Sequence, residues 1–213
     1  MNRNKFLIQW VLYSSFGVLL GFGFAALSGF FISTVLVYED LMLYQSPWLP
    51  VLIMVVAGFV EGCILGIIQA VPLLKAFPLV SKLNWTILTG TGGAIAWGIG
   101  TLAGPVISEK YFTSISFVSV LVAISMLVVL AGILGIAQWI ELKKHFADSW
   151  KWIVYTIIGW GIGLSISFTG TSIITETTPI AWIITISLLS GFLMGAAAAF
   201  VTGLYLRVKL DEM

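Results

Sequence analysis

The chain has 213 residues, of which 60% are hydrophobic and 9% are charged, with a mean hydropathy of +1.10 and a formal net charge of +1 at pH 7. Soluble domains carry about 25% charged residues, so this composition predicts an integral membrane protein in contact with the lipid bilayer. The near-neutral charge excludes a basic face for nucleic acid, and the single cysteine, Cys63, excludes an intrachain disulfide and a cysteine-rich zinc site.

The first apolar stretch runs from about Phe6 to Ser33 and follows the basic residues Arg3 and Lys5. A basic start before an apolar run is also the pattern of a secretory signal peptide. The apolar part of a signal peptide has only about 7–15 residues, and this stretch is longer and matches later segments of the chain. We therefore expect a retained membrane-spanning helix.

Five further apolar stretches reach the length of about 20 residues that a helix needs to cross a bilayer. They are Trp48–Leu74, Asn84–Ile107, Ile115–Ile140, Trp152–Ser172 and Pro179–Leu206. Their apolar residues are continuous rather than alternating, which predicts helices and not strands. The polar segments between them are too short for a soluble domain, so residues 1–213 are predicted to form one all-α transmembrane domain.

The positions of the cations predict the orientation of these spans. Nine of the ten lie on the side that holds both termini: Arg3, Lys5, Lys75, Lys82, Lys143, Lys144, Lys151, Arg207 and Lys209. The other side holds Lys110 together with Glu39, Asp40, Glu109 and Glu176. Because cytoplasmic loops are enriched in Lys and Arg, both termini are predicted to be cytoplasmic.

An internal repeat is indicated by the segments CILGIIQ (63–69) and GILGIAQ (132–138), which agree at five of seven positions. Each odd-numbered span begins near a tryptophan that small residues follow at positions +7 and +11. The even-numbered spans carry small residues four apart and then Gln69, Gln138 or Thr202. We predict three parallel two-helix repeats, at about 6–75, 84–144 and 151–209, around a pseudo-threefold axis along the membrane normal.

The small residues of this pattern are predicted to be helix-packing positions, because residues four apart share one helix face and small side chains let backbones approach in lipid. The odd-numbered spans contribute Gly17, Gly21, Gly92, Ala96, Gly159 and Gly163, and the even-numbered spans contribute Gly62, Gly66, Ala131, Gly135, Gly195 and Ala199. The pattern leaves open whether these faces meet within one hairpin or between neighbouring hairpins. One such spacing also occurs by chance in many apolar helices.

The segment GILGIAQWIELKK (132–144), followed by Trp152 and Gly159, resembles a group of uncharacterised bacterial multi-pass membrane proteins with repeated G-x-x-Q-W-x-x-L-[RK] segments. The resemblance is good in the second repeat, partial in the first, where Ala70 replaces the tryptophan, and poor in the third. It implies a repeated multi-pass protein of the bacterial inner (plasma) membrane. It implies no catalytic or ligand-binding residue.

Glu61 is the leading candidate for a functional site, because it lies midway along the second span. A carboxylate at that depth costs roughly 2.5–3.5 kcal/mol on insertion scales. The equivalent positions in the other repeats are Leu130 and Met194, so the repeat itself does not require an acid. A proton, cation or ligand site is one interpretation. The other is a structural glutamate that hydrogen-bonds to Ser14, Ser15, Thr89 or a backbone carbonyl.

Gln69 and Gln138 are the other site candidates, near the cytoplasmic ends of their spans. Hydrogen bonds between helices are favoured over the lining of a cytoplasmic opening, because buried polar groups in a bilayer seek partners. Trp97 and Trp160 lie deep in their spans and are expected to pack in the core or flank a cavity. His145, in the polar segment 141–151, is expected to lie in a solvated loop.

The sequence contains no motif for hydrolysis, phosphate binding or metal chemistry, so we predict a non-enzyme without cofactor or metal. Two functions fit these features. The first is an accessory or helix-binding subunit of a membrane complex, whose partners would be other membrane proteins. The second is a small-solute or proton-coupled transporter or channel that uses Glu61. A polar cavity that converges on Glu61 would favour transport.

Overall fold

The computed structural model describes residues 2–32, 48–111, 116–210 and 212, without the side chains of residues 105, 106, 108, 109 and 111. These residues form six helices: α1 Arg3–Phe31, α2 Trp48–Ala76, α3 Lys82–Tyr111, α4 Phe117–Leu142, α5 Lys151–Thr171 and α6 Ile180–Lys209. The predictions of an all-α protein and of six helices are confirmed. The predicted polar segment 38–47, with Glu39 and Asp40, and residues 112–115 lie outside the described residues.

Five of the helices, all except α3, are long and apolar enough to cross a membrane, counted over the described parts of the chain. By length and composition, these helices are consistent with the predicted membrane protein. Helix α3 has 30 residues, but its central turns are rich in glycine and threonine, which lowers its mean hydropathy. Several helices also continue past the predicted apolar limits; α6, for example, runs on to Lys209, because backbone hydrogen bonding does not stop where apolar residues end.

The helices form a closed ring in chain order, in which each helix packs against the next and α6 packs against α1. One end of the ring is a cluster of buried side chains contributed by every helix: Phe6, Trp10, Leu73, Trp85, Leu142, Trp152 and Leu206. These residues come from the starts of the odd-numbered helices and the ends of the even-numbered ones. Successive helices therefore run in opposite directions, and we call this end of the bundle the tryptophan end.

Small residues of the odd-numbered helices lie against the helix that follows in the chain. A methyl group built on Gly159 would be 2.8 Å from the carbonyl oxygen of Ala198, and one on Gly163 would be 2.6 Å from that of Met194. The same close approach joins Gly17 to Leu65, Gly21 to Glu61 and Gly92 to Leu134. These contacts hold together the two helices of one hairpin.

Small residues of the even-numbered helices instead lie against the next hairpin. A methyl group on Gly195 would be 2.9 Å from the Cα atom of Ser15. The same approach joins Gly62 to Gly90, Gly66 to Thr86 and Gly135 to Ile153. Ala131 and Ala199 are buried and Ala96 is half-buried. The two packing arrangements that the sequence left open thus both occur, one for each set of helices.

Polar contacts fix the connections at the tryptophan end. Glu141, at the end of α4, is 1% exposed. It accepts hydrogen bonds from the Ser81 backbone N–H at 2.8 Å, from Asn84 Nδ2 at 3.1 Å and from Lys144 Nζ at 2.5 Å. His145 Nε2 lies 3.4 Å from the same carboxylate. The start of α3 is thereby tied to the end of α4.

Asp148 makes the corresponding contacts for the connection between α4 and α5. Its carboxylate accepts a hydrogen bond from Lys151 Nζ at 2.6 Å and forms an ion pair with Lys209 at the end of α6. Hydrogen bonds from these two cations lower the pKa of Asp148 to about 2. Charge therefore links the loop to the last turn of α6.

Candidate functional site

Three tryptophans close the centre of the ring at the tryptophan end. Trp10, Trp85 and Trp152 come from α1, α3 and α5, and each is at most 1% exposed. Their ring centroids are 6.4, 6.1 and 5.8 Å apart, with interplanar angles of 67–73°. Edge-to-face contacts at these distances are favourable beyond the burial of apolar area. The three rings pack against one another at the centre of the bundle.

A buried polar layer lies next to the tryptophans. Each odd-numbered helix places a hydroxyl residue four positions after its tryptophan, and therefore on the same helix face. Even-numbered helices contribute two glutamines and a threonine. The six side chains are Ser14, Thr89 and Thr156, and Gln69, Gln138 and Thr202, each at most 7% exposed. The sequence analysis did not predict Ser14, Thr89 and Thr156 as site residues, although each follows a tryptophan by four positions in the sequence.

Hydrogen bonds across helices connect this layer. Gln138 Nε2 donates to Thr89 Oγ1 at 3.2 Å and to Gln69 Oε1 at 3.3 Å. Gln69 Nε2 donates to Ser14 Oγ at 3.2 Å, and Gln138 Oε1 accepts from Trp152 Nε1 at 3.2 Å. Both glutamines are thus engaged between helices rather than lining an opening.

The indole N–H groups of the tryptophans and a small cavity also belong to this polar region. Trp10 Nε1 donates to Thr202 Oγ1 at 3.2 Å, whereas the buried Trp85 Nε1 has no acceptor among the described residues. A cavity of about 20 Å³ lies among the hydroxyl and amide side chains. That volume has room for one water molecule in polar surroundings.

Glu61 lies on the seam between α1 and α2, and its carboxyl group reaches α3. Trp97 Nε1 donates a hydrogen bond to Glu61 Oε2 at 2.5 Å. On the other side, a methyl group built on Gly21 would be 2.9 Å from the Glu61 carbonyl oxygen. The partner of Glu61 is therefore Trp97, which the sequence did not indicate, and not Ser14, Ser15 or Thr89. Glu61 Oε1 has no hydrogen-bond partner among the described residues.

A cavity of about 470 Å³ adjoins Glu61 in the interior of the ring. Residues of α1 to α5 line it: Phe22, Glu61, Gly62, Leu65, Gly93, Ala96, Trp97, Gly100, Thr101, Leu127, Leu130, Ala131, Leu134, Trp160, Leu164 and Phe168. Apart from Glu61 and Thr101, its walls are apolar or aromatic. The cavity thus adjoins Glu61, but its walls are mainly apolar, whereas the sequence analysis named a polar cavity as the feature that would favour transport.

The large cavity and the small polar one are neighbours, since Leu65, Leu134 and Trp160 line both. From the tryptophan end inward, the axis therefore crosses three closely packed rings, a polar layer and an apolar chamber with one carboxyl group. Trp160 also packs against the buried cluster of Val18, Leu65 and Met194. Its ring accordingly has both of the roles that the sequence allowed.

The described residues contain no group of three or more His, Cys, Asp and Glu side chains that would hold a metal ion. No protein-family model matches the chain, and neither a curated protein nor a solved structure matches it. The fold and the site together define a helical membrane protein with an internal, mainly apolar cavity.

Proposed function

We propose that this protein is a membrane carrier that binds an apolar or amphiphilic small molecule in the cavity beside Glu61. One observation supports the proposal above all others, namely a cavity of about 470 Å³ that five helices line and that one carboxyl group enters. Cavities of roughly 300–1,000 Å³ with apolar walls and a few polar groups are typical of small-molecule sites. Ionisable groups inside a membrane domain usually mark functional positions.

The architecture that we propose for this carrier is three parallel two-helix repeats around one axis, with α3 as the sixth membrane span. Support comes from the mutual contacts of the three tryptophans. Further support comes from equivalent seams, since Gly17 meets Leu65, Gly92 meets Leu134 and Gly159 meets Ala198. An experimental structure tests the repeat by superposition of the three helix pairs that begin at residues 10, 85 and 152. Helix pairs unrelated by rotation about one axis would contradict it.

We further propose that the tryptophan end faces the cytoplasm of a bacterium and that the protein lies in its inner membrane. The distribution of the cations supports this orientation. A cysteine introduced at Lys110, with Cys63 replaced by Ala, should react with a membrane-impermeant maleimide in whole cells. Labelling that requires permeabilised cells would contradict the orientation.

The cavity itself is tested by a variant that blocks it. A methyl group built on Gly100 meets nothing within 4 Å, and this residue lines the cavity, so Gly100→Trp is expected to fill the space without disturbing the helices. Gly23→Trp is the matched control, because a methyl group there also meets nothing within 4 Å and the residue is exposed.

The probe for this test is the neutral fluorophore N-phenyl-1-naphthylamine, and native mass spectrometry of the detergent-solubilised protein counts the bound molecules. Wild type and Gly23→Trp should bind the probe, and Gly100→Trp should not. Equal binding by all three proteins would contradict a ligand site in the cavity. Passage of a bound compound across proteoliposome membranes then separates a carrier from a protein that only binds.

An accessory, helix-binding subunit is the second candidate function. Most of the small residues that suggest it are occupied by contacts within the chain, but Gly23 and Gly29 of α1 have open space where a side chain would lie. A partner helix could approach closely there. Purification from native membranes followed by mass spectrometry should then recover a partner that is lost when both glycines are replaced by Leu. Recovery of the same proteins with the variant would contradict this role.

A further inference from the structure

We infer that the molecule bound in the cavity is a lipophilic organic monocation, an inference that rests on the proposed function. The first reason is the charge of the walls. Among the described residues, Glu61 is the one acidic side chain that lines the cavity, and no Lys, Arg or His side chain lines it. An ionised carboxylate in apolar surroundings is stable only when it is paired.

Glu61 is incompletely paired among the residues that the structure describes. Trp97 satisfies Oε2 with a single neutral donor, while Oε1 has no hydrogen-bond partner in the part of the chain that the structure describes. Residue 61 is half-buried on a helix whose neighbouring positions line the cavity, among them Gly62 and Leu65. A ligand with one positive charge would supply the counter-charge that an ionised Glu61 needs in these surroundings, at a carboxyl group that already accepts a hydrogen bond from Trp97.

Aromatic rings surround the same space. Phe22, Trp97, Trp160 and Phe168 line the cavity, and the rings of Phe22 and Trp97 are 5.9 Å apart at an angle of 46°. The negative faces of aromatic rings attract organic cations, and groups of such rings recognise quaternary ammonium ligands. Rings next to one carboxyl group therefore favour a cation over a neutral molecule or an anion.

The described walls fit a bare calcium or magnesium ion poorly, because such ions prefer several oxygen ligands at short distance. Calcium takes six to eight and magnesium about six, whereas the side-chain oxygens on these walls belong to Glu61 and Thr101. The remaining lining residues offer apolar and aromatic surface. A cation with large apolar substituents makes use of both the charge and the surface.

Two ions of the same shape and opposite charge test the inference: tetraphenylphosphonium and tetraphenylborate. Each is measured separately by equilibrium dialysis against the solubilised protein, with empty micelles and Gly100→Trp as backgrounds for partitioning. Wild type should bind the phosphonium at least about tenfold more tightly than the borate, as expected when one charged pair is formed in a partly desolvated site. This comparison requires no variant at Glu61.

Glu61→Gln should weaken phosphonium binding by about tenfold or more, since Gln keeps the shape and the acceptor for Trp97 but removes the charge. The exposed Glu176→Gln is the control and should bind as wild type does. Equal affinity for the two ions, or unchanged binding by a folded Glu61→Gln protein, would overturn the inference. If the neutral naphthylamine probe still binds in that case, the proposed cavity function stands; if no probe is sensitive to Gly100→Trp, the proposed function fails as well.

Discussion

The seam between α5 and α6 provides the sharpest test of the packing. In Gly159→Ala, the added methyl group would lie 2.8 Å from the carbonyl oxygen and 3.2 Å from the Cα atom of Ala198. Both atoms belong to the backbone, so the helices must move apart. In Gly132→Ala the new methyl group would meet only Ile157 Cδ1, at an ordinary 3.7 Å. Both glycines are buried in helices.

The magnitude follows from two opposing effects. Replacing Gly by Ala in a helix stabilises it by about 1 kcal/mol, whereas overpacking in a well-filled interior costs about 1–3 kcal/mol. The helix-propensity gain is shared by both variants and cancels in their difference. We therefore expect Gly159→Ala to be about 1–3 kcal/mol less stable than Gly132→Ala. At roughly 2–4 °C per kcal/mol for a chain of this size, its Tm should be about 2–12 °C lower.

The assay is thermal unfolding in one detergent, followed by the monodisperse fraction on size-exclusion chromatography after heating. Gly159→Leu, with a larger side chain at the same contact, should lower the Tm further. Equal Tm values for Gly159→Ala and Gly132→Ala would refute the argument that these helices are held at a distance that excludes a side chain.

Three further predictions concern the polar groups at the tryptophan end. Gln138→Leu removes three hydrogen bonds and leaves buried donors and acceptors unpaired. The free energy of unfolding, measured with heat or denaturant, should therefore fall by about 1–3 kcal/mol. A stability equal to that of wild type would contradict the network. Glu141→Gln removes the charge that holds the start of α3, and it should lower the free energy of unfolding by about 1–3 kcal/mol. It should also increase proteolysis between α2 and α3, and an unchanged digestion pattern would contradict this prediction. The pKa of Asp148 is lowered from 3.8 to about 2, so its stabilising contribution is present above about pH 4 and is lost as the pH falls towards 2. Asp148→Asn should therefore make the Tm fall less steeply between about pH 4 and pH 2, whereas the exposed Glu176→Gln should not. Parallel curves of Tm against pH for Asp148→Asn and wild type would exclude a role for the ion pairs.

Several features of the site were accessible from single residues and their spacing. Glu61 stood out because a carboxyl group in the middle of an apolar run is costly, and the structure places it beside an apolar cavity of about 470 Å³. Gln69 and Gln138 stood out for the same reason, and their amides bond to each other. The hydroxyl residues of the polar layer follow a regular offset from the tryptophans, but serine and threonine are common in membrane helices and often bond to their own backbone.

Other features depend on which helix faces meet. Trp97 is 36 residues from Glu61 in the chain, and no local pattern pairs them. The cavity is a property of five helices together, since its volume is what remains after their side chains pack. The apolar character of its walls was likewise not visible, because residues that face lipid and residues that face an internal chamber have the same composition.

The sequence by itself determined that the chain forms six long helices, five of them apolar enough to cross a membrane, because hydropathy and length are properties of each segment alone. It also determined where an unusual charge lies along those helices. Only the tertiary structure decided that the helices close into a ring, that three tryptophans meet on its axis and that Glu61 opens onto an apolar chamber. The physical reason is that association of helices in lipid depends on the fit of small residues and on polar contacts between faces, which one segment cannot specify without its neighbours.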